Sequence, residues 1–268
     1  MKRKKRIGTA AKAVGCAVLL MISLFPIYWL LAMAIRPTDE MRGHIALIPQ
    51  SLTGMHFAQL FTSENFGQAI MNSLQTTFGS LIISLLAGIC AAYVIARRRF
   101  RFGLKKPMTY WVLLVRVLPP VAFTIPLYIM FNRLGVLNTK LPVMLACVLI
   151  NVPLIIWFLI SFFQDLPEEI EESAKVDGAT EWQLFCKIVL PLVAPGIAAV
   201  SMLSFMYAWN EYTYTVIFTR IPANNTVPLA LALLNTEDNL TNFGLVAAGG
   251  VISVIPITLF VIFAQNYL

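Results

Sequence analysis

Six apolar stretches, each about twenty residues long, decide what this chain can become, because a helix of that length crosses roughly 30 Å of hydrocarbon. They fall at residues 13–35, 74–96, 108–131, 141–163, 192–218 and 243–264. Hydrocarbon offers no water to a backbone amide, so a spanning segment must be a helix or a strand of a closed barrel, and barrel strands need only about ten alternating residues. The expected fold class is an all-α polytopic membrane protein with six transmembrane helices. The basic residues at 2–6 and "AMA" at 32–34 give the first stretch the outline of a secretory signal. A signal core runs only about 7 to 15 residues, so the longer stretch is read as a span.

Orientation follows from the basic residues beside the spans. Lys2, Arg3, Lys4, Lys5, Arg6 and Lys12 precede the first, and Arg97, Arg98, Arg99, Arg101, Lys105 and Lys106 separate the second from the third. The opposite loops hold only Arg36, Arg42, Arg133, Lys140 and Arg220, so the positive-inside rule puts both termini in the cytoplasm. The expected division is a basic cytoplasmic N-terminus at 1–12 and a transmembrane domain at 13–268 in the cell (inner) membrane. The net charge of +7 then reports topology rather than a nucleic-acid surface.

Several chemistries are excluded by what is missing. None of the aspartates falls within a span, His44 and His56 both lie in the first external loop, and neither G-x-S-x-G nor H-E-x-x-H occurs. Cys16, Cys90, Cys147 and Cys186 are far apart, without a C-x-x-C pair, which removes the usual zinc and redox spacings. No glycine is followed by lysine, so the chain has no P-loop, and any ATP must be bound elsewhere. Prolines at 26, 119, 120, 126, 142, 153, 195 and 256 bend or break helices. Bent helices are compatible with a pathway, and proline is also common in membrane helices generally.

Between the fourth and fifth spans the composition inverts. Asp165, Glu168, Glu169, Glu171, Glu172, Asp177 and Glu181 place seven of the chain's 13 acids in one short cytoplasmic stretch. Asp165 with Glu168 reads as a capping box, so a helix is expected from about Leu166 to Gly178, the residue best able to take the left-handed conformation at a helix end. Thr180 and Gln183 repeat the capping pattern, followed by Trp182, Phe185, Cys186 and Val189 at helical spacing before Pro191. That stripe is expected to pack on the protein's own spans. On the first helix Ile170, Ser173, Ala174 and Asp177 share a face, with small side chains that let another surface come close. An amphipathic helix for the negatively charged lipid leaflet would be rich in Lys and Arg. This hairpin has the opposite sign, and is read as a docking element for a protein.

The same stretch resembles the EAA loop of the permease subunits of ABC importers: E-A-A, three residues, G, nine residues, I-x-L-P. Here Glu172, Ser173 and Ala174 precede Gly178 by that spacing, and Ile188, Leu190 and Pro191 complete it, with Ser173 as the one departure. "RPTDE" at 36–40, "NSL" at 72–74, "RVLPP" at 116–120, "YIMFNRLGVLNT" at 128–139 and "AWNEY" at 208–212 are similar to MalG-like carbohydrate importers. The resemblance implies a MetI-like fold, with residues 165–191 as the coupling loop and Glu172, Ser173, Ala174, Asp177, Gly178, Ile188, Leu190 and Pro191 as its coupling residues. It implies a second, different permease subunit (a heterodimer), two ATPase subunits that bind ATP and Mg, and an extracytoplasmic solute-binding protein. This chain itself would bind no cofactor and catalyse no reaction.

Arg116 and Glu211 are the charges inside spans, each costing roughly 2.5 to 3.5 kcal/mol at mid-bilayer on the mildest scale. Arg116 lies about 14 Å and Glu211 about 30 Å along its helix from the respective cytoplasmic prolines, so in straight spans the two do not pair. Arg116 is expected to bind carbonyls freed at Pro119 and Pro120. For Glu211, with Asn210, two readings stand: a polar group facing the solute or the partner subunit, or a helix–helix hydrogen bond. Tyr207, Trp209, Asn210, Tyr212 and Tyr214 offer the aromatic faces and hydrogen bonds a sugar needs, and equally the composition of an interfacial belt. The external loop at 219–242 is expected to face the binding protein, with Asn224, Asn225 and Thr226 at the position of a family loop that reaches toward the sugar. The alternatives are a polyol or sugar phosphate as cargo, and an ion-coupled carrier using Arg116 and Glu211 as its relay.

Overall fold

The computed structural model describes residues 2–41, 46–97, 105–234 and 243–267, with the side chains of residues 2–11, 105, 106 and 116 outside that description. The expected role of the Arg116 side chain, and most of the basic run at 97–106, therefore lie outside the described residues. Within them all regular structure is helical: α1 Lys2–Ala34, α2 Met55–Thr62, α3 Phe66–Arg97, α4 Lys105–Val117, α5 Thr124–Arg133, α6 Leu141–Gln164, α7 Glu168–Val176, α8 Glu181–Gln183, α9 Leu190–Leu192, α10 Ala194–Trp209, α11 Thr213–Phe218, α12 Val227–Leu233 and α13 Phe243–Ala264. A π-helical segment, Leu184–Val189, joins α8 to α9.

Four helices are long and apolar enough to cross a membrane, at Lys12–Ala34, Phe66–Arg97, Leu141–Gln164 and Phe243–Tyr267. Two further pairs are bent, Pro107–Val115 with Pro120–Arg133 by 93° and Glu181–Leu192 with Ala194–Trp209 by 73°, giving up to six spans if each pair counts as one. The first bend sits at Pro119 and Pro120, as their missing amides dictate. The expected single helix over 192–218 does not form. It divides into α10, of 16 residues, and α11, of six, because residues 210–212 leave the helical path.

The chain clusters into two compact units, Met1–Gly67 with Leu231–Val254, and Gln68–Ala230 with Ile255–Leu268. In the first, the "RPTDE" run turns the chain after α1. The buried Arg36 donates from Nη2 to the Ala46 carbonyl at 2.5 Å, and its guanidinium lies 5.8 Å from the Trp29 ring centre. Glu40 accepts from the Ser51 hydroxyl and from the Ser51 and Gln50 amides at 2.9 and 3.2 Å. The Ser51 hydroxyl, foremost among these partners, holds its carboxyl below the usual carboxylate range. His56, read from sequence as an external-loop residue, is buried, with Nε2 3.0 Å from the Arg36 carbonyl.

In the second unit α6 is the central post. Ile155, Leu159 and Phe163 recur every fourth residue along one face and are fully buried. They pack with Ala92, Ile95 and Ala96 of α3 and with Leu184, Val189 and Val200. Close approach of α3 depends on Gly88, where an added Cβ would lie 2.6 Å from Ile155 Cγ2. Ile155 is itself fully buried. Gly88→Ala is expected to lower the stability of the detergent-solubilised protein by about 1–3 kcal/mol through overpacking. Gly15→Ala, inside α1 where nothing lies within 4 Å, should instead leave stability unchanged or raise it by up to about 1 kcal/mol, alanine being the better helix former; titration with a denaturing detergent compares the two.

Candidate functional site

The acidic stretch is a helical hairpin, built differently at its two ends from what spacing alone predicts. The Asp165 backbone amide donates to the Ser161 carbonyl at 3.0 Å, completing the last turn of α6. The Asp165–Glu168 capping box therefore does not form. Pro167 takes the N-cap position of α7 without a side-chain cap, and Glu168, Glu169 and Glu171 compensate by placing negative charge against the first-turn amides. The stop is as expected. Gly178 has φ +83°, the Ala179 amide donates to the Ala174 carbonyl at 3.0 Å, and the Gly178 amide to Lys175 at 3.1 Å. This is a Schellman closure, which needs a left-handed residue at that position.

The second arm opens with the expected capping box. The Thr180 amide donates to Gln183 Oε1 at 3.0 Å, and the Gln183 amide to Thr180 Oγ1 at 3.3 Å. The π-helical turn that follows holds more residues per turn than an α-helix, and the stripe counted at α-helical spacing is divided. Phe185 and Val189 face the core, Cys186 and Ile188 are half-buried, and Trp182 is 72% exposed. Trp182 thus corrects the expectation that the whole stripe packs on the spans. On the first arm Ala174 also departs from expectation. It is only 7% exposed and packs into the α3–α6 core. The outward surface consists of Glu172, Ser173, Asp177 and Gly178 together with Val176, which is 88% exposed. Leu190 is half-buried and Pro191 exposed at the foot of the second arm.

Beyond the apolar packing of α3 on Ala174, Leu184 and Val189, an ion pair reaches the hairpin from that distant span. Arg97 Nε lies 2.9 Å from Glu171 Oε1, and Arg97 Nη2 donates to the Leu166 carbonyl at 2.8 Å. In the sequence Arg97 is a topology marker, and nothing in an Arg-Arg-Arg run singles out Arg97 as turning inward.

The residues expected to line a path are mostly occupied with structure. The buried Glu211 carboxylate accepts from the Tyr214 amide at 2.6 Å, and from the Thr215 amide and hydroxyl at 3.1 and 3.0 Å. It caps α11 where the span is broken, rather than joining two helices. Tyr214 is buried and donates its hydroxyl to the Pro120 carbonyl at 2.8 Å. Trp209 is buried too. Asn210 and Tyr212 are exposed and Tyr207 is half-buried, and the Asn210 side chain donates to the Met206 carbonyl at 2.8 Å.

The loop after α11 is tied down as well. Asn72 of α3 donates to the Ala223 and Asn225 carbonyls at 2.8 and 2.9 Å. Asn224 donates to the Asn138 carbonyl at 2.6 Å, and the buried Thr226 lies 3.3 Å from the Thr215 hydroxyl. Thr226 therefore has no surface to offer an external partner, and Asn224 and Asn225 are half-buried. Residues 220–223 are the exposed part of this loop. Asn138, at φ +63°, is a hub that spacing does not disclose: its side chain also accepts from the Arg220 amide at 2.8 Å.

Comparison with known proteins agrees with this architecture. Residues 84–268 match the family described as binding-protein-dependent transport system inner membrane component. The chain is 30% identical to the trehalose transport system permease protein SugB of Mycobacterium tuberculosis, covering 91% of this chain and 88% of the relative. It is 31% identical to the arabinooligosaccharides transport system permease protein AraQ of Halalkalibacterium halodurans, covering 100% and 96%. Its fold is similar to a chain in the crystal structure of a bacterial ABC transporter involved in the import of the acidic polysaccharide alginate, with TM-score 0.81, 20% identity and coverage of 99% and 98%. With its spans, breaks and hairpin in place, this chain belongs to the family of binding-protein-dependent transport system inner membrane components, the membrane permeases of such transporters.

Proposed function

We propose that this chain is one permease subunit of an ATP-driven ABC importer and forms half of the translocation pathway for a sugar or oligosaccharide. Its partners are a second, different permease subunit, two ATPase subunits that bind ATP and Mg, and an extracytoplasmic solute-binding protein. The carbohydrate assignment is supported by the relatives named for trehalose and arabinooligosaccharides. The termini lie in the cytoplasm, on the strength of the basic residues flanking the first two spans. The hairpin then lies on the cytoplasmic side, where the ATPases are.

The observation that carries the mechanism is the build of that hairpin. A lever must transmit displacement without bending, and here a Schellman turn and a reciprocal capping box fix both sides of a single glycine. Glu172, Ser173 and Asp177 face outward beside Val176, a small apolar patch in a mainly acidic surface where the exposed Lys175 pairs with Glu181 at 3.2 Å. Such a surface fits a protein cleft with a basic rim and would be repelled by an anionic lipid leaflet. Movement of the ATPases would enter through α7 and pass to α6 and α10, the helices that continue from its two arms. The binding protein meets the exposed residues 220–223 beside Asn224 and Asn225. Glu211, committed to three donors of its own chain, does not support an ion relay.

Gly178→Val places a β-branched residue at φ +83°, and about 1–2 kcal/mol of left-handed strain should shift the turn roughly tenfold toward opened conformations and so lower coupled uptake. No atom lies within 4 Å of the missing Cβ, so the effect is backbone strain and not crowding. Gly178→Asn, which tolerates this conformation, should retain most uptake; equal activity in both variants, with normal membrane insertion, argues against the turn. Ser173→Cys should cross-link to cysteines introduced along the ATPase cleft in the assembled transporter. Absence of any cross-link in every nucleotide state removes the docking assignment. Uptake measured over a panel of sugars and oligosaccharides checks the substrate class.

A further inference from the structure

We infer that the cytoplasmic end of α3 clasps the hairpin through Arg97, so that the second span moves with the coupling loop. The inference rests on the coupling reading above. Covalently the hairpin continues only into α6 and α10, through two joints that are not helical: residues 165–167 and the 73° bend at Val193. The helix α3 is more than 65 residues away in sequence, yet its last two turns touch both arms. The Tyr93 ring centre lies 4.8 Å from that of Phe185 on the second arm. One turn on, Arg97 reaches the first arm.

There a single guanidinium holds two points on opposite sides of Pro167. Its Nη2 donates to the Leu166 carbonyl at 2.8 Å, in the linker. Its Nε lies 2.9 Å from Glu171 Oε1, inside α7, as an ion pair rather than an aligned hydrogen bond. The two side chains are 8% and 15% exposed, so the pair is shielded from the screening that makes surface ion pairs weak. The same pair explains a division within the acidic run: Glu168, Glu169, Glu172, Asp177 and Glu181 are exposed, and Glu171 is turned inward. Arg97 also ends α3, where a cation is favoured by the helix dipole. Lysine could carry the charge but not the two-point geometry of a planar fork. Arg97 is thus a positioning residue, acting on transport through α7.

The test uses the assembled transporter, with its ATPase subunits and binding protein, in lipid vesicles, and measures solute taken up per ATP hydrolysed. Arg97→Gln and Glu171→Gln should each lower that ratio by roughly fivefold or more, within the range usual for coupling between sites, while the ATPases still co-purify. The double variant should be no worse than either single, since both remove one interaction. Arg97→Lys should recover an intermediate ratio, and if Arg97→Gln fails to assemble, this variant decides the matter. An unchanged ratio in Arg97→Lys and Glu171→Gln, or effects that add independently, overturns the clasp. The cross-link from Ser173→Cys separates the two levels: normal cross-linking with normal Arg97 variants rejects the clasp alone, whereas no cross-linking rejects the coupling loop itself.

Discussion

Inside hydrocarbon an unpaired backbone amide or carbonyl costs several kcal/mol, and this constraint organises everything else in the fold. A continuous helix pays nothing along its length, which is why α1, α3, α6 and α13 are long and apolar. A broken span exposes amides on one side of the gap and carbonyls on the other, so each break must carry its own polar closure. At residues 210–212 the Asn210 side chain takes the Met206 carbonyl, and Glu211 takes the Tyr214 and Thr215 amides. At the other break the Tyr214 hydroxyl takes the Pro120 carbonyl. One residue, Tyr214, therefore serves both breaks, donating its amide at one and its hydroxyl at the other.

This assigns the carboxylate that looks most functional in the sequence to a structural task. A charged residue in a span invites a reading as relay or substrate ligand, but three donors from one short helix already use the Glu211 oxygens. The groups left free near the break are Tyr212 and the half-buried Tyr207, polar at one end and apolar along the ring, as carbohydrate contacts require.

The long apolar helices were legible because length and composition alone determine what a bilayer accepts: the helix Phe243–Ala264 coincides with one apolar stretch, whereas the stretch at 192–218 is divided between two helices. Gly178 and the Thr180–Gln183 box were legible because turn chemistry is local, acting over three or four residues. What stayed hidden depends on which of several equivalent groups points inward. Three consecutive arginines are indistinguishable until α3 is docked, and so are the acids at 168–172. Ala174 looked like a docking residue because a small side chain permits close approach by any neighbour, and the neighbour turned out to be its own core. The break at 210–212 was masked by apolar residues on both sides. Asp165 misled for a related reason: a capping side chain three residues before a glutamate is necessary but not sufficient, and α6 had already claimed its backbone in the last helical turn.

The π-helical turn links these failures to the mechanism. An α-helical second arm would place Trp182, Phe185 and Val189 on one face; the wider turn keeps Phe185 and Val189 against the core while leaving Trp182 outside. Trp182 thereby joins Val176 of the first arm as a second exposed apolar side chain, the two on either side of Gly178. Trp182 covers Phe185 with one edge, its ring centre 6.2 Å away, and the outward acids Glu172 and Asp177 disfavour burial in an anionic membrane surface. Inward, the same hairpin is fixed by Ala174, Phe185, Val189 and the Arg97–Glu171 pair. An element packed into its own core on one face and carrying exposed apolar side chains among acids on the other has the form that the proposed coupling role demands: a surface for a second protein, and an anchorage behind it.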